Sequence, residues 1–517
     1  MSVEWLQREV AAGCPVCGAE GAKAAVLTTS HVIPGAPQVT FLRCAACGAV
    51  FLDDLAVPDY GQDRPQMLDY YVEQGAGIDL VVAPLLRVPR EAVRRCLEIG
   101  CNFPFALDFI RFAFGAEVLG VDPSPLAMRG GEALELPVVQ AYFDADLDLG
   151  PEPFDLVLCS EILEHVAEPH TLLRSIRERL SPDGLLVLST PNADILREDT
   201  EEGMLVRAMS PGFHAILYNR TALVHVLAQA GFTNVMIDDS APETLRAFAA
   251  YAPAPLERLL PPDRIATHSL LRTYLGSRAR EVQRASVAAC GFAYRHFKEC
   301  VNAGLYDEAI ASREFLASVY RERAATAKHL PFNLSCALFF SGILELNGLH
   351  RPGKAAENFA AAIDSAERLR RRELPFALYD GETEGLLRQS LKHLPMALAA
   401  TDPQRALREL ARLESMDRAQ FPARLLDESR AQTFVRLVNA GAYAAAERLA
   451  PRIAEQIEQQ PSLDPLFCLA MLALQTGRGE EGAELFGRLR LAAERAGAEE
   501  MAGRARYHEM LSMELRQ

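Results

Sequence analysis

The side chains best suited to chemistry are two cysteine pairs and one acidic, histidine-bearing stretch. Cys14 and Cys17 stand in CPVCG and Cys44 and Cys47 in CAACG, with 26 residues between the pairs. A two-residue gap lets two thiolates meet one ion from a single tight turn, and the following glycine permits positive φ. Four such sulfurs close a tetrahedral cage with no open position, so the ion expected is a structural zinc. Iron in a rubredoxin-like cage and a pair of disulfides are the competing readings. The other seven cysteines are scattered through apolar segments and read as buried, reduced thiols.

The stretch SEILEHV sets Glu161, Glu164 and His165 close together. A histidine titrates at about pH 6.5, so His165 could take a proton from an acceptor, with Glu161 beside it; alternatively it only hydrogen-bonds its loop. His214 and Tyr218, in SPGFHAILYN, are candidates for contact with an acceptor, as are Glu73 and the Tyr70–Tyr71 pair.

The surrounding pattern predicts what must position these groups. RCLEIG, EVLGVD, PVVQAYF, FDLVLCS, LLVLSTPN and FTNVMID read as strands. FALDFIRFAFG, SPLAMRGGEAL, PHTLLRSIRERL and NRTALVHVLAQAG read as helices between them, and SPDG as a turn. Such alternation predicts an α/β fold, a parallel sheet with helices on both faces, whose ligands lie beyond the C-terminal strand ends. Glu98 closes the first strand, and Gly100 allows close backbone approach at the next turn. Asp122 closes the second strand, where a carboxylate can accept two hydrogen bonds from ribose hydroxyls. Phe143 and Asp144 follow the third strand and suit an adenine ring and its amino group; Ser160 ends the fourth.

LEIGCN, EVLGVDPSP, FDLVLCSEILEHV, LSPDGLLVLSTPN and LAQAGF, in this order from Arg94 to Asp238, resemble the successive motifs of class I S-adenosylmethionine-dependent methyltransferases. The resemblance implies a Rossmann-like sheet, S-adenosyl-L-methionine as cofactor and methyl transfer as the reaction. The cysteine pairs followed by Tyr70–Tyr71 resemble bacterial methyltransferases with an N-terminal zinc ribbon, several of which act on sugars or in polysaccharide and natural-product pathways. One loop departs from the pattern: Gly-x-Gly-x-Gly is here Gly100-Cys101-Asn102-Phe103-Pro104. Asn102 tolerates positive φ and could cap the next helix or meet the methionine end of the cofactor. Pro104 cannot adopt positive φ but suits a helix start. The loop is read as altered and usable, against a degenerate loop that binds nothing.

Past APAPLERLLPPDR, β signals largely vanish and Ala, Leu, Glu and Arg dominate. FKECVNAGLYDEAIA and FVRLVNAGAYAAAER repeat one another in register, and Gly441 and Gly477 stand 36 residues apart. The region resembles tetratricopeptide-type helical hairpins, which implies a surface for a protein partner or for self-association. The chain thus divides into a zinc ribbon over 1–57, a helical cap or connector over 58–93 and the methyltransferase domain over 94–250. A linker over 251–285 and an all-α helical-repeat domain over 286–517 complete it.

Lys and Arg total 53 against 69 Asp and Glu, a net charge of −16, which argues against broad phosphate-backbone binding and so against RNA as substrate. No apolar run reaches the roughly 18 residues of a membrane span, and the N-terminus lacks a secretory pattern. The expectation is a soluble, cytoplasmic enzyme that methylates a small molecule, such as a sugar or nucleotide sugar. The alternative is a non-catalytic scaffold that kept the fold and binds partners through its repeats.

Overall fold

A computed structural model describes the chain except for residues 1–2, 34, 57, 63–70, 76–77, 239, 263, 327–329, 372–380 and 515–517. The chain divides into two compact units, Met1–His296 and Phe297–Gln517.

In the first unit the cysteine knuckles sit on a five-stranded antiparallel sheet. Its strands are β1 (Val3–Ala11), β2 (Ala22–Thr29), β3 (Val39–Arg43), β4 (Val50–Leu52) and β10 (Ile216–Leu217), in that order. β2 and β3 lie between the two knuckles. β2 alternates exposed with covered side chains, as a one-faced strand does. The last strand, β10, arrives from far downstream, which no local pattern signals.

The second sheet holds β5 (Arg95–Ile99), β6 (Glu117–Val121), β7 (Val138–Val139), β8 (Phe154–Ser160), β9 (Leu180–Pro191), β11 (Asn234–Asp238) and β12 (Thr244–Ala250). Their order is β11-β12-β9-β8-β5-β6-β7. β9, β8, β5, β6 and β7 are parallel, while β12 runs antiparallel to both β9 and β11. The wholly parallel sheet expected from sequence is therefore a mixed one. TLRAFAA, the β12 sequence, is rich in helix formers and gives no strand signal; its burial between two strands overrides propensity. SPDG, expected as a turn, lies inside β9, next to a register shift against β8.

The stretch expected as a linker, 251–285, contains the helix Arg264–Glu281, and the compact unit runs on to His296. This helix is fastened to the helix Phe105–Phe114 that follows the cofactor-type loop. Asp108 is buried there; Tyr274 Oη (2.9 Å) and Arg278 Nε (2.7 Å) donate to its Oδ2, and Arg111 Nη2 (3.0 Å) to its Oδ1. Phe109 and Phe292 pack edge-on against the Tyr274 ring. Sequence gave these aromatics no pattern beyond an ordinary helical face.

The second unit is helical. Helices Ala423–Asn439, Tyr443–Gln459, Leu463–Gln475, Gly479–Arg495 and Glu499–Glu514 follow one another through short turns. Gly441 and Gly477 take positive φ in two of these turns, as the repeat pattern requires. Buried Ala445, Ala446, Phe434, Leu437 and Phe486 fill its core. The seven scattered cysteines of the two units are buried and in no disulfide. Among the described residues, no helix is long and apolar enough to cross a membrane.

Replacing Asp108 with alanine would leave the partly buried Arg278 guanidinium to Glu281 and the buried Tyr274 hydroxyl to a longer contact with the Phe105 carbonyl (3.4 Å). The local opening free energy of helix Phe105–Phe114, read by amide exchange, is expected to fall by about 2 kcal/mol. A change below about 1 kcal/mol would mean that the network does not fasten the two helices.

Candidate functional site

The C-terminal ends of β5 and β6 meet in one loop. The Gly100 amide donates to the Val121 carbonyl (2.8 Å), and the next positive-φ position is Asn102, at φ 46°. Asn102 is held by its backbone: its N–H donates to Asp122 Oδ2 (2.8 Å), while the Ser124 N–H donates to Oδ1 (2.7 Å). Pro104 precedes the helix Phe105–Phe114, which no side chain caps, so the expected Asn102 cap is not made. The glycines missing from the loop have counterparts on the surfaces facing it. A Cβ on Gly130 would lie 2.4 Å from Pro104 Cδ, and one on Gly120 2.7 Å from Cys101 Sγ. Close approach is preserved with the bulk moved to the other partner.

Glu98 is buried at this end of β5, and burial, with Asp122 nearby, lifts its carboxyl to about 8 although the Leu107 amide opposes the shift. Its Oε2 has no hydrogen-bond partner. A buried, orphaned carboxyl oxygen is a position where a cationic or hydrogen-bonding ligand group fits. Burial also lifts the carboxyl of Asp122, against the pull of its two amides. Burial, with Glu98 and Asp122 nearby, pushes the Tyr71 phenol well up. Its neighbour Tyr70 lies outside the described residues. Glu73 is buried. Phe143 is half-buried, Ser160 half-buried at the end of β8, and Asp144 exposed. Asp144 Oδ1 accepts from the amides of Asp146 and Leu147 (2.9 Å each), closing its own turn.

The other half gathers around Glu164, which is fully buried. Thr190 Oγ1 donates to its Oε2 (3.0 Å); its Oε1 has no hydrogen-bond partner and lies 4.0 Å from His165 Nε2. His165 Nδ1 is 2.9 Å from the Phe213 carbonyl and His214 Nδ1 is 2.7 Å from the Ala208 carbonyl. A carbonyl can only accept, so His214 Nδ1 carries the proton and its Nε2 keeps a lone pair; His165 Nδ1 has both the Phe213 carbonyl and the Tyr60 hydroxyl (2.7 Å) in reach, and donation to the carbonyl leaves its Nε2 a lone pair as well. The two rings meet edge to face, 4.6 Å apart. Burial holds His165 down to about 4 and His214 down to about 3, so both imidazoles are neutral near neutral pH. Burial, with Glu161 nearby, pushes the Glu164 carboxyl well up. Glu161 is exposed, at φ 55°, and accepts from Ser189 Oγ (2.7 Å).

One ligand atom from each of Glu164, His165 and His214 lies within 4.8 Å of the others. Two imidazoles anchored through Nδ1 to backbone carbonyls, beside an unpartnered carboxylate oxygen, form a donor set suited to a divalent cation. The Glu-x-x-Glu-His spacing was the available sequence signal, but His214 joins it only in three dimensions. Tyr60 was not foreseen at all. Its oxygen lies 2.7 Å from His165 Nδ1, and its O–H donates to the Phe213 carbonyl (3.2 Å). Tyr218, expected at the acceptor, is instead fully buried in the core shared with the cysteine knuckles.

Those knuckles bring Cys14, Cys17, Cys44 and Cys47 together as free thiols. The Sγ separations Cys14–Cys47 and Cys17–Cys44 are both 3.7 Å. A tetrahedron with Zn–S bonds of about 2.3 Å has edges of about 3.8 Å, whereas a disulfide needs about 2.0 Å. The cluster fits a structural zinc and not two disulfides.

Among curated proteins, the ubiquinone biosynthesis O-methyltransferase of Cereibacter sphaeroides is 38% identical over 138 residues, 25% of this chain and 54% of the relative. The mitochondrial protein of the same name from Schizosaccharomyces pombe is 34% identical over 110 residues, 20% of this chain and 40% of the relative. The chain spans about half the length of the curated relatives it matches. Among solved structures, the S-adenosylmethionine-dependent methyltransferase SibL aligns at 22% identity and a TM-score of 0.29, over 34% of this chain and 57% of that one. The family model for a methyltransferase domain matches residues 74–237, the stretch that carries both halves of the site. Over residues 74–237 this chain is thus similar to methyltransferase domains.

Proposed function

We propose that the protein transfers a methyl group from S-adenosylmethionine to an oxygen of a small-molecule acceptor, with a divalent cation held by Glu164, His165 and His214. The observation that carries this reading is the pair of Nδ1-anchored imidazoles whose free Nε2 atoms accompany the orphaned Oε1 of Glu164. Bound S-adenosylmethionine supplies an electrophilic methyl carbon. Asp122 and the Gly100–Asn102 turn would hold its ribose and methionine ends, Glu98 its amino group, and Phe143, Asp144 and Ser160 its base. A cation bound at the three ligands would acidify an acceptor hydroxyl, and Glu161 beside them would receive that proton. The relatives are named as O-methyltransferases of ubiquinone biosynthesis, which favours a hydroxyl acceptor over the sugar expected from sequence. The helical second unit is read as a surface for a partner or a second copy; Leu491, Tyr507 and Met510 are exposed on its last two helices.

Calorimetric titration with S-adenosylhomocysteine should show saturable binding to the wild type. Asp122→Ala should weaken it at least about tenfold, equivalent to roughly 1.4 kcal/mol. Equal affinities would remove Asp122 from the cofactor site, and no binding by a folded wild type would leave the scaffold reading.

Manganese titration followed by electron paramagnetic resonance should reveal one bound ion, lost in His214→Ala and Glu164→Gln, while both variants still bind S-adenosylhomocysteine. His165→Ala should lower turnover on the order of 100-fold or more. Manganese binding that is unaffected by His214→Ala would sink the three-ligand assignment.

A further inference from the structure

We propose that the cysteine-bound ribbon is the positioning frame of the acceptor half of the site, acting through β10 on His214 and on the turn that carries Glu164. The inference rests on the proposed role of those ligands only for its functional meaning; its structural content stands on the sheet pairing alone.

β10 is two residues long, and its pairing is with β4 of the ribbon, Ile216 opposite Phe51 and Leu217 opposite Val50. It is not a strand of the seven-stranded sheet. A strand of two residues has no independent stability, so its place is set by what it pairs with: β4 along Ile216 and Leu217, and the residues after β9 at Tyr218, whose carbonyl accepts from the Ala193 amide (2.8 Å). β4 begins two residues after Gly48, the glycine that closes the second knuckle. The ribbon also grips the chain on both sides of His214: the Val32 N–H donates to the Pro211 carbonyl (3.1 Å), and the Leu52 N–H to the Ala215 carbonyl (2.9 Å). On its other side Ala215 donates its N–H to the Glu164 carbonyl (2.7 Å). His214 is therefore one residue from a backbone that joins β4 to Glu164.

Side chains reinforce the clamp. Cys14, Cys44, Cys47, Ala215, Ile216 and Tyr218 share one core. Gly48, at φ 81°, lets Asn219 come so close that a Cβ would lie 2.2 Å from its Nδ2, while Asn219 Oδ1 caps the helix Arg220–Gln229. The cofactor half is held differently. Gly100 is bonded to β6, Asn102 to Asp122, and the Asp122 amide to the Val139 carbonyl. A ribbon of some fifty residues has a small core, and a structural ion normally supplies much of its folding energy. Emptying the four cysteines should release the segment 211–218 and leave the Gly100–Asp122 loop in place.

The test is amide exchange by mass spectrometry on the reduced, full-length chain, zinc-loaded, chelated and zinc-restored, with S-adenosylhomocysteine affinity measured in parallel. Exchange over 211–218 should accelerate at least about tenfold on chelation and recover with zinc. Exchange over 96–124 should stay within about twofold and the affinity within about threefold. Cys17→Ser with Cys44→Ser should reproduce the chelated pattern. Unchanged exchange over 211–218 would overturn the proposal, and so would equal acceleration over 96–124, which marks general unfolding. Failure of the zinc-loaded chain to bind S-adenosylhomocysteine would instead overturn the methyl-transfer reading, and the exchange comparison would still decide this one.

Discussion

The burial of Glu164 is the constraint on which its cluster with His165 and His214 depends. A carboxyl with no solvent must find partners in the protein, and only one of its oxygens does so, through Thr190. The other faces the Nε2 atom of His165, and the carboxyl's own backbone carbonyl takes the Ala215 amide. Two carbonyls, those of Phe213 and Ala208, hold the neighbouring imidazoles by their N–H groups. Satisfying backbone acceptors and orienting ligand nitrogens are here the same act. The result is a set of unused lone pairs facing one another, costly without an ion and useful with one.

The loop from Gly100 to Pro104 solves a different problem. Its loop lacks two of the usual glycines, yet the turn is made, because asparagine tolerates the left-handed conformation at Asn102 and its amide is captured by Asp122. The crowding introduced by Phe103 and Pro104 is absorbed by Gly130 on the next helix, and that of Cys101 by Gly120 on β6. A motif written as glycines is in physical terms a demand for close approach, and either surface can meet it. Behind this loop, Asp108 with Tyr274 and Arg278 ties the first helix to one that follows the sheet. The seven-stranded sheet is thus flanked by a helix that follows it in the chain.

Much was legible in order and spacing. The knuckles, the strand ends at Glu98 and Asp122, the Glu161–His165 cluster and the turn glycines of the second unit each depend on contacts within a few residues or on one repeating period. Such signals survive in a linear string because they are local. β12 was hidden by helix-forming residues, and the helix Arg264–Glu281 by a Pro-rich stretch before it.

The sequence by itself determined which groups exist, the four cysteines, the two carboxylates and the histidine beside them, and the α/β alternation that brings strand ends together. Only the tertiary structure decided that His214 joins Glu164 and His165, that Tyr60 meets His165, that Tyr218 serves the core, and that β10 completes the ribbon's sheet. Each of these is a pairing across tens to more than 150 residues, as with Ile216 opposite Phe51. Hydrogen bonds and packing of that kind leave no periodic trace in either partner, because the free energy that selects them belongs to the pair and appears only when both surfaces are in place.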